Sequence, residues 1–413
     1  MSRLLFVTRR PPWPLTNGAR IRSHRLLEGL SQRFDTVLLT MTHPEGSPDG
    51  ATDLEALGHA LPRVEVRTVP GPAPRSKRLD QLASVRGPRS WHFGRYATPD
   101  FAWAVASLAE ERGVELVHGD DLGAALVLPC GRPVVTVYGS HNIEHHLVRS
   151  DGRASPAAGA RAFAALEWRK LRAEERRVWA AADLSLAVSA RDADAMRAGS
   201  VRAVALCPNG TDAVEPTPRR RRPAGAPLRL LFVGSAAYAP YERGLAWFGD
   251  RVLPLVRRHR PVVLDVIGQP PRRPAGDPEV RHRGYVDDVT RWYRRADVVI
   301  VPVFEGSGTR LKVVEAAAHA RPIVSTRLGA EGLPLQAGRH YLEADTPADF
   351  AAAIDRIADG SEDRADRTGG DELIEAMVRG ARRAVAPLLW PAITAELTER
   401  YTGLLHERAG QAR

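Results

Sequence analysis

The sequence predicts an α/β protein made of two doubly wound parallel sheets, and three observations predict it. Short apolar runs alternate with helical patterns along most of the chain, a Pro- and Arg-rich break interrupts them near the middle, and the alternation then restarts. Apolar runs of strand length, without polar residues at every second position, suit strands buried on both faces. Their alternation with helices suits parallel order with helices on both sides. With 413 residues the chain is long enough for two or three ordinary domains.

In the first half, the run at 4–8 reads as a strand, followed by a Pro- and Gly-bearing loop and a helix over 19–30. Further strands are expected at 36–40, 64–69, 114–118 and 133–137. A long Arg/Glu/Ala-rich helix follows at about 160–181, then closing strands at 184–189 and 204–206. The segment "AVEPTPRRRRPAGAP" (213–227) carries four prolines and four consecutive arginines with no apolar period, and reads as a solvated linker. After it come a strand at 228–233 ending in Gly234, a helix over 244–259, and strands at 262–267 and 280–286. A helix near 289–296, a strand at 297–303 and a strand at 322–326 complete this pattern. "GSEDRADRTGGDE" (360–372) reads as a polar surface insertion, and 388–407 as a last helix. The expected domains are 1–212 and 228–387, joined by 213–227 and followed by a terminal helix and tail, 388–413. Their shared βα grammar suggests two sheets facing across a cleft.

Apolar residues make up 44% of the chain, and no run approaches the ~20 needed to span a bilayer. The first apolar stretch, 4–7, is too short for a signal-peptide core, so a cytoplasmic protein is expected. Cys130 and Cys207 offer neither a disulfide framework nor metal-ligand spacing and read as buried small hydrophobes. The net charge of +10 favours anionic partners in general. Of 59 basic residues, however, only Lys77, Lys170 and Lys312 are lysine, a bias that coding composition explains as well as function does.

The stretch "VPVFEGSGTRLKVVEAAAHARPIVST" (301–326) carries the strongest signal. A strand ends at Phe304, a loop of Glu305, Gly306, Ser307, Gly308 and Thr309 follows, and Arg310 and Lys312 stand at the start of a helix. Cations there oppose the helix dipole by about 0.3–1 kcal/mol each. A bound anion removes the conflict, because glycines let backbone approach it and the helix start offers free N–H groups. Ligands also bind beyond the carboxyl ends of strands in open parallel sheets. Lys312, Glu315 and His319 share one helix face, and Leu311, Val314 and Ala318 form its apolar stripe. Arg310 and Lys312 are therefore expected to hold phosphate and Glu315 a ribose. The alternative is a solvated Lys312–Glu315 pair worth only about 0.2–0.5 kcal/mol.

The first half repeats the pattern. "TNGARIRSH" (16–24) follows the first strand, with Asn17 and Gly18 leading a helix that carries Arg20 and Arg22 early. "YGSHNIEHH" (138–146) contains H-x-x-E-H, a zinc-peptidase pattern whose chemistry needs both histidines on one helix face. Because the segment starts at a strand end, His141 is expected to precede the helix. It then reads as a donor to a phosphate or sugar hydroxyl, or as a capping or core histidine.

On these residues the chain resembles the retaining GT-B glycosyltransferases of family four, over nearly its whole length. The likeness lies in "PPWPLTNGARIRSHRLLEGL", "HNIE", "EWRKLRAEERRVWAAADLSLAVSARDADAM", "CPNGTD", "LLFVGSAAY" and, most specifically, "GSGTRLKVVEAAAHARPIVSTRLGAEGL". The tail "LLWPAITAELTERYTGLL" resembles the terminal helix that crosses back onto the first domain. The resemblance implies that Glu315 binds ribose, that Arg310 and Lys312, or in part Arg243, bind phosphate, that Asn17 and Gly18 form the first domain's glycine loop, and that His141 is the active-site histidine. Gly234 and the 305–309 loop would complete the nucleotide-sugar site. Three departures stand out: Ser307 occupies the position of the family's first motif glutamate, with Glu305 two residues earlier. The basic-Gly pair reads Arg243-Gly244 rather than Lys-Gly, and "YAPYERG" lacks the usual asparagine.

The implied activity moves a hexose or amino sugar from a nucleoside-diphosphate sugar to a hydroxyl acceptor with retention, in polysaccharide, glycolipid or natural-product glycoside synthesis. A UDP or GDP sugar would be the co-substrate, with no metal and no other cofactor. The acceptor would be a lipid-linked saccharide, a glycan or a small natural product. Peripheral contact with the inner membrane face is compatible, and no nucleic acid is expected. A sugar-nucleotide epimerase of the same fold, or a non-catalytic basic binding protein, are the alternatives.

Overall fold

A computed structural model describes residues 2–43, 53–72, 77–111, 113–129, 131, 133–154, 157–218, 222–223, 225–271, 277–305, 310–360 and 368–411. The chain divides into two compact units, Met1–Pro208 with Ile393–Arg413, and Asn209–Ala392.

The first unit holds seven strands: β1 (Arg3–Thr8), β2 (Asp35–Thr42), β3 (Val64–Pro70), β4 (Leu116–Asp120), β5 (Val135–Gly139), β6 (Leu184–Ala187) and β7 (Val204–Leu206). They are all parallel, in the order β3-β2-β1-β4-β5-β6-β7. The order reverses beside β1, so the loops after β1 and β4 diverge there and leave room at the carboxyl ends. Leu4, Leu5, Phe6 and Val7 are all fully buried, as strands covered on both faces require.

Strands β4 and β5 lie two residues further along than expected. The expected 114–118 and 133–137 start two residues too early and stop two too early. The ladder continues through His118, Gly119 and Asp120 paired with Val137, Tyr138 and Gly139. These polar residues remain in buried strand because the ladder satisfies their backbone. The terminal helix runs Trp390–Gln411, and from Ile393 it belongs to the first unit. There Tyr401 is fully buried, with its hydroxyl 2.6 Å from His118 Nδ1.

The second unit has six parallel strands: β8 (Leu228–Val233), β9 (Val262–Ile267), β10 (Val280–Gly284), β11 (Val298–Val301), β12 (Ile323–Ser325) and β13 (Leu342–Glu343). Their order is β10-β9-β8-β11-β12-β13. The expected helix over 244–259 begins earlier, at Ala239, with a proline in its first turn, and passes through a π turn at Phe248–Val252 before ending at Val256. A proline at that position costs no helical hydrogen bond. Gly244 marks close packing instead: a Cβ there would lie 1.9 Å from the Pro302 carbonyl oxygen.

The segment 213–227 is not wholly a solvated linker. The first unit ends at Pro208 rather than at 212, and Thr211 already pairs with Leu389 inside the second unit. Arg222 is buried and donates to the Ala226 carbonyl at 2.8 Å, while 219–221 lie outside the described residues. In the polar segment 360–372, Gly360 caps the helix Pro347–Asp359, residues 361–367 lie outside the described residues, and 368–372 open the helix Thr368–Ala384. Cys130 also lies outside them, whereas Cys207 is buried. Among the described residues no helix is long and apolar enough to cross a membrane.

Candidate functional site

In the second unit, the helix Leu311–Ala318 follows β11 with Arg310 at its N-cap and no acidic residue in its first turn. Val313, Val314, Ala316, Ala317 and Ala318 are buried, so the apolar stripe is wider than Leu311, Val314 and Ala318. The sequence places Arg310 and Lys312 at this helix start, and both are buried. Gly306, Ser307, Gly308 and Thr309 lie outside the described residues.

Lys312 is enclosed rather than solvated. Its Nζ has no hydrogen-bond partner among the described residues. It lies 3.3 Å from the centre of the Tyr241 ring and 4.2 Å from that of Phe232. Gly234 covers it from the end of β8 with φ 148°, and a Cβ on Gly234 would lie 2.8 Å from the ammonium. The glycine is therefore required both by its dihedral angle and by this approach. Burial pushes the Lys312 amine well below the ordinary lysine range; Glu315 acts against this and Arg310 adds to it.

Glu315, one turn further, is half-buried and does not form the surface pair with Lys312. Its Oε2 accepts a hydrogen bond of 2.7 Å from the hydroxyl of Tyr293 in the helix Thr290–Arg295. Burial pushes its carboxyl up, and the Tyr293 hydrogen bond and Lys312 pull it down. Asp212 lies close enough to push it up again. Gly234, Arg310, Lys312 and Glu315 thus come together, joined by Tyr241, Tyr293 and Asp212, which the sequence did not single out. Tyr241 lies in the "YAPYERG" loop already marked as unusual and Asp212 closes the "CPNGTD" stretch, while nothing local marked Tyr293.

Arg243 and Glu305 are assigned by sequence to ligand binding, but here they pair with each other, Arg243 Nε to Glu305 Oε1, at the surface. Each is the other's counter-charge, since both side chains are solvated and of opposite sign.

In the first unit, His141 stands between β5 and the helix Glu144–Ala154 and is not helical. Its Nε2 lies 3.0 Å from Asp120 Oδ1. A carboxylate can only accept, so this nitrogen carries the proton. Asp120 is buried and also accepts from Ser23 of the helix Gly18–Leu30. Burial pushes its carboxyl up, but the charge and hydrogen bond of His141, with His118 Nε2 nearby at 3.6 Å, outweigh this and hold it well below the usual range. A Cβ on Gly139 would lie 2.4 Å from His118 Nε2 and 3.0 Å from Asp120 Oδ1, so only glycine leaves the group room.

Asn17 caps the helix Gly18–Leu30 by accepting from the Arg20 amide at 3.0 Å. Gly18 has nothing within 4 Å of an added Cβ. Arg22, read from sequence with Arg20, points instead into the unit, where it is buried and donates to the Pro208 carbonyl at 3.0 Å. The zinc pattern does not assemble: His141 goes to Asp120, whereas His145 goes to Glu175 of the helix Ala158–Ala181. Among the described residues no group of three or more His, Cys, Asp or Glu side chains could hold a metal ion.

The comparisons agree with this division. A model described as Glycosyltransferase Family 4 matches residues 16–215, and one described as Glycosyl transferases group 1 matches residues 227–360. No curated protein matches the chain. Among solved structures, sucrose-phosphate synthase from Thermosynechococcus elongatus superposes with a TM-score of 0.66 at 18% identity, covering 98% of this chain and 100% of that one. HepE from Anabaena, in complex with UDP and glucose, gives 0.59 at 14% identity over 97% of this chain and 100% of that one. WaaG, a glycosyltransferase involved in lipopolysaccharide biosynthesis, gives 0.56 at 13% identity over 97% and 100%.

Proposed function

The chain belongs to the group 1, family 4 glycosyltransferases of GT-B fold, and we propose that it moves a hexose or amino sugar from a nucleoside-diphosphate sugar to a hydroxyl acceptor with retention. The observation that carries the donor reading is Lys312. A buried ammonium without an acceptor is costly, and a diphosphate is the kind of partner that removes the cost. Arg310 stands beside it, and the helix start adds its dipole.

Glu315, one turn beyond, accepts hydroxyl donors from a ribose. UDP or GDP is the nucleotide in this reading; the UDP bound by HepE supports UDP first. In the first unit, Asp120 fixes His141 to meet a sugar hydroxyl. Arg310 and Lys312 stabilise the departing diphosphate as charge develops on it. The acceptor hydroxyl attacks from the face the diphosphate leaves, and a diphosphate oxygen takes its proton, so no enzyme nucleophile is needed. The two cations do what a metal would do elsewhere. The acceptor is a hydroxyl of a lipid-linked saccharide, a glycan or a small natural product.

The test is turnover of UDP- and GDP-sugars, followed by nucleoside diphosphate release and by the anomeric configuration of the product, with and without EDTA. Release that is lost in Lys312→Ala and survives EDTA is expected, with the donor's configuration kept. Inversion would overturn retention, and loss with EDTA would overturn the metal-free arrangement.

A further inference from the structure

We propose that Tyr293 is a positioning residue for the nucleotide site: its hydroxyl holds Glu315 Oε2 and leaves Oε1 turned to the ribose. The inference rests on the reading of Glu315 as the ribose contact and adds a residue to it.

Tyr293 is unusually well fixed for this task. It is fully buried, and its ring stacks on His319 with centroids 4.5 Å apart and planes 13° apart. Burial pushes the His319 imidazole down to about 4, so near neutral pH the stack joins two uncharged rings. His319 ends the helix that carries Glu315. Stacking and hydrogen bond therefore grip that helix at two points, one turn apart. A phenol has a single O–H, and Glu315 Oε2 at 2.7 Å takes it.

The groups facing Glu315 are Tyr293 from the preceding helix, Lys312 from its own helix and Asp212 from the segment before β8. Burial and Asp212 favour the neutral carboxyl, while Tyr293 and Lys312 favour the carboxylate. Removing the hydroxyl takes away one of the two groups that keep Glu315 an acceptor. A protonated Glu315 carries an O–H of its own and is a weaker acceptor for a ribose hydroxyl at Oε1. A purely structural tyrosine would not produce that pH-dependent loss.

The experiment measures binding of UDP and GDP to the full chain by calorimetry, beside inorganic pyrophosphate, which has no ribose. Wild type, Tyr293→Phe and Glu315→Gln are compared across pH. Tyr293→Phe is expected to weaken the preferred nucleotide about tenfold near neutral pH, to recover as pH rises, and to leave pyrophosphate binding unchanged. Glu315→Gln is expected to lose nucleotide affinity at every pH. Nucleotide binding by Tyr293→Phe equal to wild type, or a parallel loss of nucleotide and pyrophosphate, would overturn the inference. Nucleotide binding by Glu315→Gln equal to wild type would overturn the ribose reading beneath it.

Discussion

The Nζ of Lys312 rests 3.3 Å from the centre of the Tyr241 ring, inside the second unit. Phe232 lies on it as well, and no oxygen among the described residues accepts from it. Cation–π contact with desolvated rings contributes about 2 kcal/mol, well short of replacing an ammonium's hydration. The amine is thus held ready, and is most stable charged when an anion arrives.

Donor binding should therefore take up a proton. Calorimetry of UDP or GDP in buffers of different ionisation enthalpy should show fractional proton uptake, largest at alkaline pH where free Lys312 is neutral. Lys312→Met should abolish the uptake and weaken the diphosphate by about 1.5–3 kcal/mol, the range for hydrogen bonds to charged groups. Uptake unchanged in the variant would assign the proton elsewhere.

Lys312 also fixes a trend in the ligand-free protein. Its folded pKa lies below its unfolded one, so the unfolded chain binds the extra proton. Stability should rise with pH from the depressed folded value up to about 10.4, the unfolded one. Denaturant titrations of wild type against Lys312→Met should show this rise only in wild type.

Glu144 gives the opposite slope. Burial and the neighbouring Glu175 raise its carboxyl to about 7. Between about 4.3 and that value the unfolded chain loses the proton while the folded one keeps it, so stability falls as pH rises. Glu144→Gln should lose this fall, gaining on wild type between mildly acidic and neutral pH in thermal melts.

Two glycines should separate packing from ligand contact. Gly244→Ala forces a Cβ against the Pro302 carbonyl and should cost about 1–3 kcal/mol in denaturant unfolding. Gly18→Ala meets nothing within 4 Å and should leave the melting temperature near wild type. Any loss of turnover in Gly18→Ala is then a loss of room for a ligand.

Tyr401→Phe should cost about 1–3 kcal/mol, because it leaves the buried Nδ1 of His118 without its partner. Chemical denaturation reads this directly.

Much of the fold was readable because two strands are apolar runs broken by a single charged residue each, Arg229 and Asp265. β8 and β9 lie at 228–233 and 262–267, as their apolar runs predict. β4 and β5 slid by two residues because Gly119-Asp120 and Tyr138-Gly139 do not continue the apolar runs, yet complete a buried ladder. β13 has two residues and no period to read. In the site, Lys312 and Glu315 were legible because they lie one helical turn apart. The partner of Glu315 was not, since Tyr293 stands 22 residues away, nor in the first unit was the partner of His118, since Tyr401 stands 283 away. Only folding brings such pairs together. The Arg243–Glu305 ion pair was hidden for the same reason, since 62 residues separate the two.

The central claim is that Lys312 and Glu315 hold a nucleoside diphosphate. The most direct test is the thermal stability of the purified protein with UDP, GDP, dTDP and ADP and their common sugars, beside Glu315→Ala. A ligand at about a hundred times its dissociation constant should add about 2.7 kcal/mol. A stabilisation by one nucleotide that vanishes in Glu315→Ala is the predicted result. A stabilisation that persists undiminished in the variant, or none with any of the four at saturating concentration, would contradict it.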